Sequence, residues 1–335
     1  MAIQFIRCRV CLTAYSGPNL YPSVIKFMRN KLFQTIAKCY PTHRMDRSRP
    51  LAALWRVLFY LLQPTQPFEM RTQHYRLMAV PRRDNLTRAI IRRGHWEPLE
   101  TKVFIDLLKP GATVVDAGAN FGHYALTAAN IVGANGQVIA FEPHPETYGL
   151  LTANAALLPI DNLRTVQAGL SDGNGEITLY SDAANPGGHS FFEWNVRHNE
   201  GDKKTVPVYS LDTFLQKELP GKQLDVLKMD VQGFEMNLLN GTKETITTHK
   251  PSVLCEVTPE ALQRAGSGHS ELLKFFEDLG YRMTVIDAEA GKLIPMDFEA
   301  LVTALTDTNA EYFDVLFQPE FTVAAQIEMK NDESC

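Results

Sequence analysis

Three features of the 335-residue sequence predict an α/β fold with a seven-stranded, mostly parallel sheet, a β insertion and an N-terminal helical extension. From about residue 98 onward, short apolar segments alternate with segments of helical length, as they do when crossover helices join parallel strands. Segments such as TVVDA and VIAF are almost wholly apolar, which fits burial on both faces of a sheet. Between residues 171 and 212, two β-like segments flank a long polar loop, and this interval predicts the insertion.

The elements of the predicted sheet domain follow one another at regular intervals. The first helix ends at Lys109, Pro110 and Gly111, which form a helix-stop and turn signal. The predicted strands are residues 113–117, 137–142, 163–169, 224–230, 252–257, 281–286 and 312–317. The predicted helices are residues 98–108, 122–132, 145–157, 233–240 and 270–279. In the insertion, residues 176–180 and 205–210 have the pattern of antiparallel strands.

We divide the chain into a basic helical extension (residues 1–95), the sheet domain (residues 96–320) and a tail (residues 321–335). Between residues 22 and 40, apolar positions recur every three to four residues, which predicts an amphipathic, basic helix. Residues 51–62 predict a second helix, which is too short for the roughly 20 apolar residues of a membrane span. Two interpretations remain: these helices lie on a membrane surface, or they cap the sheet domain.

Charge is distributed unevenly along the chain. Residues 1–93 contain 17 Lys and Arg but three Asp and Glu, a net charge of +14, and the remaining residues therefore carry −19. Such an extension contacts an anionic partner or folds against the acidic domain. We expect residues 20–93 to contact an anionic membrane surface, and we expect a cytoplasmic protein at the inner face of the membrane. The first residues lack a signal-peptide pattern, and an odd number of cysteines, five, suits a reducing compartment.

Polar and small residues follow the predicted strands at the edge where parallel sheets bind ligands. The first strand ends at Asp116 and continues into the loop D-x-G-x-N-x-G, and the second strand ends at Glu142, 26 residues later. A dinucleotide site would instead show G-x-G-x-x-G, with a helix N-terminus facing a pyrophosphate. An acid after the first strand suits a cationic amine, and Glu142 is placed to accept hydrogen bonds from both ribose hydroxyls. S-adenosylmethionine carries both groups.

We therefore expect S-adenosylmethionine as the cofactor, held by strand ends and by a loop with free backbone N–H groups and little side-chain bulk. The third strand end contributes its last residues to the same edge. The predicted cofactor-binding residues are Asp116, Gly118, Asn120, Gly122, Tyr124, Glu142, Leu170 and Ser171.

The fourth strand end carries the candidate catalytic residues. Asp230 is the first choice as general base or as the group that orients an acceptor hydroxyl. Lys228 lies two residues earlier, on the same face of the strand, and Glu235 follows about one turn into the next helix. The alternative is that all three form a structural ion-pair network at a helix N-terminus.

Other side chains have weaker claims to a role. His123, His144 and His189 are further candidate bases, although a single histidine is more often structural. The loop aromatics Phe191, Phe192 and Trp194 either stack on a sugar or form a small core beneath the loop. No histidine pair has zinc-ligand spacing, and a lone C-x-x-C at the N-terminus favours two unrelated thiols, so we expect no required metal.

In combination these motifs make the chain resemble the FkbM family of methyltransferases. The resemblance extends from about residue 97 to residue 317. Its motifs are DAGANFGHYA, FEPHPETY with Asn154 on the following helix, Gly187 and Gly188 with Ser190, SLD at residues 210–212, KMDVQGFE, and Pro251 with Glu256. One departure is Gln232, where the family usually has Glu, and this leaves the activity open to question.

The resemblance implies a Rossmann-like, class I methyltransferase fold and O-methylation of a hydroxyl on a sugar, glycolipid or secondary metabolite. The basic extension favours an anionic or membrane-borne acceptor, such as a lipid-linked glycan. Two other functions stay open: a non-catalytic S-adenosylmethionine-binding adaptor at a membrane, which Gln232 would permit, and a nicotinamide-dependent oxidoreductase, which the missing G-x-G-x-x-G disfavours. The chain has no N-P-P-Y-like motif for base methylation, and we expect no nucleic-acid partner.

Overall fold

A twisted sheet of eight strands forms the centre of the protein in the computed structural model, which describes residues 30–35, 57, 61–64, 67–79, 85–182, 188–196, 202–307 and 312–320. From one edge to the other, its strands are β12 (Lys292–Met296), β11 (Tyr281–Asp287), β13 (Phe313–Pro319), β10 (Ser252–Val257), β9 (Val226–Met229), β3 (Thr113–Ala117), β4 (Gln137–Phe141) and β5 (Leu163–Val166). β13 runs antiparallel to both neighbours, and β12 forms an antiparallel edge hairpin with β11. The other six strands are parallel.

The predicted α/β class with a mostly parallel sheet is confirmed, and all seven predicted strands are present. β12 is the additional strand. Its sequence, KLIPM, contains Pro295, which cannot donate a ladder hydrogen bond and is tolerated because the strand lies at the edge of the sheet.

The third predicted strand, residues 163–169, is shorter in the structure. β5 ends at Val166, and the chain then turns to form a separate short strand, β6 (Gly169–Leu170), outside the central sheet. β6 pairs with β8 (Lys203–Tyr209), which is antiparallel to β7 (Gly175–Tyr180). The backbone of residues 169–171 therefore bonds to the insertion, not to β4. The antiparallel strands predicted for the insertion are confirmed.

Helices cover both faces of the sheet. They are α1 (Asn85–Arg93), α2 (Pro98–Leu107), α3 (His123–Val132), α4 (Pro145–Ala155), α5 (Leu211–Glu218), α6 (Glu235–Asn240), α7 (Lys243–His249), α8 (Pro259–Arg264), α9 (His269–Asp278) and α10 (Phe298–Thr306). α2, α3 and part of α4 pack on one face, and α5 to α10 pack on the other.

Strand periodicity explains how one face of the sheet becomes polar at the carboxyl ends of its strands. Val114 and Val226 pack against α2 and α3, and side chains two residues further along a strand point to the same face. Asp116 and Lys228 are those side chains, and they are direct neighbours across β3 and β9. The apolar core on this face therefore ends in a row of charged groups at the carboxyl ends of the strands.

The described part of the extension packs onto the sheet domain. A two-stranded hairpin, β1 (Phe68–Arg71) and β2 (Arg76–Ala79), joins α1 in an apolar cluster with Phe121 and Leu126. The hairpin was not foreseen, because two four-residue strands give little pattern. Residues 67–79 and 85–93 thus cap the sheet domain, which is one of the two interpretations of the extension.

The helices predicted for the extension are seen in part. Residues 30–35 are helical, as are Val57, Leu61 and Leu62, and the rest of those two predicted helices lies outside the described residues, as does the tail. Within the described ranges, no helix has the length and apolar character needed to cross a membrane.

Candidate active site

The loop between β3 and α3 is packed directly against the end of β9. Gly118 has a left-handed backbone, with φ of 79°, and a Cβ built on it would lie 1.9 Å from the carbonyl oxygen of Asp230. Gly122, also left-handed, precedes α3. A side chain at position 118 would therefore separate the loop from β9.

The backbone N–H groups of this loop are not free, contrary to the sequence prediction. Those of Gly118 and Ala119 donate to the carbonyl of Phe141, and that of Asn120 donates to Glu142 Oε2 at 3.0 Å. The loop is bonded to the end of β4 because the two strands are neighbours in the sheet. Its surface toward a ligand consists of small residues and the Glu142 carboxylate.

Asp116 is completely buried beneath this loop. Neither carboxylate oxygen has a hydrogen-bond donor in place among the described residues, and the Ala125 N–H faces the carboxylate without reaching hydrogen-bond geometry. Burial raises the pKa of Asp116 to about 6, while the charge of Lys228 acts in the opposite direction. The group is therefore mostly ionised at pH 7 and supplies negative charge below the loop.

Glu142 is held by two backbone donors. Its Oε2 accepts from Asn120 and its Oε1 accepts from the N–H of His144 at 2.9 Å. Burial raises the pKa of Glu142 to about 7, although these two hydrogen bonds lower it. Each carboxylate oxygen keeps a second lone pair, so the fixed carboxylate can still accept hydrogen bonds from a diol.

A cleft of about 600 Å³, including space open to solvent, lies above these strand ends. It is lined by Gly118, Asn120, Phe141, Glu142, Pro143, Gly169, Leu170, Leu179, His189, Ser190, Phe191, Asp230, Val231 and Gln232.

Four of the eight predicted cofactor residues line this cleft, namely Gly118, Asn120, Glu142 and Leu170. Asp116 and Gly122 lie outside its lining. Tyr124 points toward the sheet interior, where its hydroxyl donates to Glu97 Oε2 at 2.7 Å. Ser171 bonds to Asp172 and to the insertion, because the chain has already left the sheet at that point.

The predicted pair Lys228 and Asp230 is in direct contact. Lys228 Nζ donates to Asp230 Oδ2 at 3.0 Å. Burial alone would lower the pKa of Lys228, but the charges of Asp230, Asp116 and Glu97 raise it above its ordinary value, so the amine stays protonated. Asp230 lines the cleft with 31% of its side chain exposed, whereas Lys228 is buried behind it.

Asp230 is also held from its other side. Gln232 Nε2 donates to Asp230 Oδ1 at 2.8 Å and to Glu256 Oε1 at 3.1 Å. Glu256 is paired across the sheet with Asp314 of β13. Burial raises the pKa of Glu256 and that of Asp314 well above their ordinary values, with mutual and neighbouring negative charge adding to the effect.

Glu235, the third predicted catalytic residue, does not line the cleft. It is the first residue of α6, is buried, and accepts the N–H of Gly233 on Oε1 at 3.1 Å. Burial raises the pKa of Glu235 to about 7. Its position matches the structural interpretation, in which a carboxylate stabilises the start of a helix.

The strand ends, the loop and the charge arrangement can now be compared with known proteins. The family model described as the methyltransferase FkbM domain matches residues 116–283, which is half of the chain. The chain belongs to the FkbM methyltransferase family.

Curated relatives share about a third or less of their residues with this FkbM chain over the matched segments. The methyltransferase sdnD of Sordaria araneosa is 29% identical over 39% of this chain and 60% of its own length. The hexuronic acid methyltransferase AglP of Haloferax volcanii is 33% identical over 38% and 48%, and the 2-O-methyltransferase NoeI of Sinorhizobium fredii is 27% identical over 42% and 61%. The chain thus spans about half to three-fifths of the length of these relatives.

Solved structures match this chain at low sequence identity and low TM-score. An FkbM methyltransferase from Methylobacillus flagellatus is 12% identical, covers 88% of this chain and 60% of its own, and gives a TM-score of 0.38. An rRNA methylase from Clostridium thermocellum is 12% identical over 66% and 93%, with a TM-score of 0.39. The strand order and the family match establish the class I methyltransferase fold.

The insertion of this FkbM chain closes one side of the cleft. Ser190 Oγ and Asn195 Nδ2 both donate to the carbonyl of Gln232, at 3.1 Å and 2.8 Å. The ring of Phe191 packs 4.8 Å from that of Phe234. Gly187, part of the predicted Gly-rich motif, lies outside the described residues.

Two aromatic side chains of the insertion pack against each other. Phe192 stacks on Trp194 at 5.0 Å, and the guanidinium of Arg264 lies 4.4 Å from the centre of the Trp194 ring. The Trp194 ring is therefore engaged by two groups of the protein itself. Only Phe191 of the three predicted aromatics lines the cleft.

The three candidate histidines have different surroundings. His189 lines the cleft and stacks on His144 at 3.9 Å. Burial lowers the pKa of His189 to about 4 and lowers that of His144. Both rings are therefore neutral at pH 7.

His123 lies outside the cleft, with both ring nitrogens in hydrogen bonds. Thr101 donates its hydroxyl to the carbonyl of Trp96, so it must accept from His123 Nε2, at 2.8 Å. Nδ1 then accepts from the hydroxyl of Tyr75 at 2.5 Å. Burial lowers the pKa of His123 to about 3. These contacts join the extension, α2 and the cofactor loop, which is a structural role.

Glu97, Glu256 and Asp314 were not among the predicted site residues. All three lie near Asp230 and carry raised pKa values, chiefly through burial. Glu256 could have been predicted as a site residue, because it lies near the end of a predicted strand. No sequence pattern indicated Asp314, because its position near the site depends on the antiparallel register of β13. Among the described residues, no group of three or more acidic, histidine or cysteine side chains is arranged to hold a metal ion.

Proposed function

We propose that this protein transfers a methyl group from S-adenosylmethionine to a hydroxyl of a small or glycan acceptor. The observation that carries the proposal is that Glu142 and Asp230 line one cleft from neighbouring parts of the sheet edge, with Gly118 in contact between them. Family membership supports the reaction type.

The residues of the cleft fit the cofactor. Glu142 offers a fixed carboxylate for the ribose diol, Gly118 leaves room against β9, and the buried carboxylate of Asp116, which has no hydrogen-bond donor among the described residues, favours a nearby cationic amine. When bound, S-adenosylmethionine supplies a methyl group on a positively charged sulfur. Acids at both ends of the site suit a ligand of positive charge.

Asp230 is the group proposed to accept the proton of the acceptor hydroxyl. Its carboxylate is partly exposed at the end of β9, and Lys228 holds one oxygen while Gln232 holds the other. A carboxylate fixed in this way can orient a hydroxyl at hydrogen-bond distance, and such positioning lowers the barrier by several kcal/mol. His189, Ser190 and Phe191 of the insertion limit the access of water from the side.

For the acceptor we propose a sugar hydroxyl. Two relatives have sugar-directed names, a hexuronic acid methyltransferase and a 2-O-methyltransferase, and those names describe those proteins. An open, polar cleft edge of this kind accommodates a hydroxylated ring.

Calorimetry with S-adenosylhomocysteine, with NADH as the matched control, tests the cofactor. Binding of the first alone is expected, and at about 100 times its dissociation constant it should stabilise the fold by about 2.7 kcal/mol. Radiolabelled S-adenosylmethionine incubated with methyl glycosides and with a cellular glycan extract then tests transfer. Absence of S-adenosylhomocysteine binding to folded protein contradicts the proposal; binding without transfer to any of these acceptors favours the non-catalytic adaptor.

The basic extension leads us to propose a peripheral location on an anionic membrane. The support is its net charge of +14. Since residues 67–79 and 85–93 pack on the sheet domain, the test uses the full chain with Lys26, Arg29 and Lys38 replaced by Glu. The wild type should co-sediment with phosphatidylglycerol vesicles and the variant should not. Equal sedimentation of both proteins would contradict this location.

A further inference from the structure

Gln232 stands where three parts of the site meet. Its side chain contacts the ends of β9 and β10, and its backbone contacts the insertion. We propose that Gln232 is a positioning residue, which fixes the orientation of the Asp230 carboxylate and couples it to the insertion above the cleft. This inference rests on the proposed function, in that Asp230 is taken as the group that contacts the acceptor.

One amide group serves two carboxylates. The Nε2 of Gln232 has two hydrogens, and it has one acceptor for each, Asp230 Oδ1 at 2.8 Å and Glu256 Oε1 at 3.1 Å. The remaining oxygen of Asp230 accepts from Lys228 at 3.0 Å. Since both oxygens are held from opposite sides, the carboxylate cannot rotate, and its remaining lone pairs keep a constant direction toward the cleft.

The backbone of Gln232 is held as firmly as its side chain. It has a left-handed conformation, with φ of 53°, which residues other than glycine rarely adopt. Its carbonyl accepts from Ser190 and Asn195 of the insertion. Strained backbone of this kind persists where the surroundings hold it, and here the surroundings are the segment that covers the cleft.

An amide suits this position because the neighbouring groups are mainly acidic. Asp230 is faced by Lys228 on its own strand, by Asp116 on β3, by Glu97 before α2, by Glu256 and Asp314 on β10 and β13, and by Glu235 at the start of α6. An ionised glutamate at position 232 would bring a further negative charge and no donor, whereas the amide of Gln232 supplies a donor to each of the two neighbouring carboxyl groups.

The first test needs no acceptor. In NMR spectra of the full chain, the side-chain amide of Gln232, assigned by its absence in Q232L, should exchange with solvent at least about tenfold faster in D230A and E256A. The free energy of unfolding of Q232E should fall relative to wild type as pH rises from 5 to 8. Neighbouring carboxyl groups raise the pKa of the introduced carboxyl in the folded state, and the stabilisation of its protonated form is lost when it ionises. Q232E/E256Q should recover the wild-type profile, and Q263E, at an exposed position of α8, is the control.

The second test measures methyl transfer to whichever acceptor, methyl glycoside or fraction of the glycan extract, the wild type methylates. Q232L should lower kcat about 10- to 100-fold and leave the KM for S-adenosylmethionine within about threefold. Unchanged amide exchange, or a Q232E profile parallel to wild type, would overturn the positioning role. Failure of S-adenosylhomocysteine to bind the wild type would instead overturn the proposed function. The amide-exchange and pH measurements would then still test whether Gln232 positions Asp230.

Discussion

Gly118 and Asp230 are in backbone contact: a Cβ on Gly118 would lie 1.9 Å from the Asp230 carbonyl oxygen. The first belongs to the loop expected to hold the cofactor, and the second is the group expected to meet the acceptor. The two halves of the site therefore form one packed surface at the adjacent ends of β3 and β9, and a displacement of the loop moves Asp230 as well.

The variant G118A should lose S-adenosylhomocysteine binding and at least about 2 kcal/mol of stability, because it adds overlap to a left-handed backbone. Calorimetry and urea unfolding measure both effects. G149A is the matched control, since Gly149 lies in α4 with open space around it and alanine favours a helix by up to about 1 kcal/mol. Normal binding by G118A would show that this contact does not shape the site.

The variant E142Q should bind S-adenosylhomocysteine roughly 10- to 100-fold more weakly, since it loses charged hydrogen bonds worth about 1.5–3 kcal/mol. The pKa of Glu142 in the folded chain is about 7, so the accepting, ionised form grows above that pH. Wild-type affinity should rise between pH 6 and 8, and E142Q should lose the part of this rise centred near pH 7. E146Q, on the exposed first turn of α4, serves as control; a pH profile shared by wild type and E142Q would argue against the ribose contact.

Replacing Asp230 by Asn should lower methyl transfer by about 100-fold or more, as expected for loss of a general base. Affinity for S-adenosylhomocysteine should change less than about threefold, because the expected cofactor contacts lie on β3 and β4. The exposed Asp172, replaced by Asn, provides the comparison. If D230N retained wild-type turnover, another group would have to take the proton, and His189 would be the next to examine.

Protonation of His123 should destabilise the protein in acid. Its pKa is lowered by burial to about 3, against about 6.5 when unfolded, so below pH 6.5 only the unfolded state takes up the proton. This contribution is fully present above pH 6.5 and is lost progressively as pH falls toward 3. Urea unfolding of H123Q should show a weaker decline between pH 6.5 and 4, whereas H95Q, at an exposed position, should follow the wild type. Identical slopes for H123Q and wild type would contradict the assignment.

The acceptor should be uncharged or cationic, which differs from the anionic acceptor favoured by the basic extension. Glu97, Glu256 and Asp314 place further carboxyl groups around Asp230, the ammonium of Lys228 is already paired with Asp230, and the described lining of the cleft contains no Lys or Arg that could bind an anionic acceptor. A methyl glycoside should therefore exceed the corresponding uronate by about tenfold in kcat/KM, since like charges near a protein surface repel by a few kcal/mol. Equal rates for the two acceptors would contradict this preference.

Much of the site could be predicted because it depends on strand ends. Asp116 and Glu142 follow two consecutive parallel strands, and parallel strands deliver their carboxyl ends to one edge whatever the details of packing. Lys228 and Asp230 were found together for the same reason, since residues two apart on a strand share a face. Leu170 was correctly placed near the cleft, although it reaches the cleft through β6 and the insertion and not through the central sheet.

The sequence by itself determined the alternation of strands and helices, the order of the strand ends and the acids that follow them, because hydrophobic periodicity and turn residues act over short stretches of chain. Tertiary structure decided which groups surround Asp230. Asp314 reaches the site through an antiparallel register with Glu256, and Gln232 gains its role from an insertion about 40 residues earlier in the chain. Such contacts between distant segments depend on the packing of the whole sheet, and no local pattern of residues encodes them.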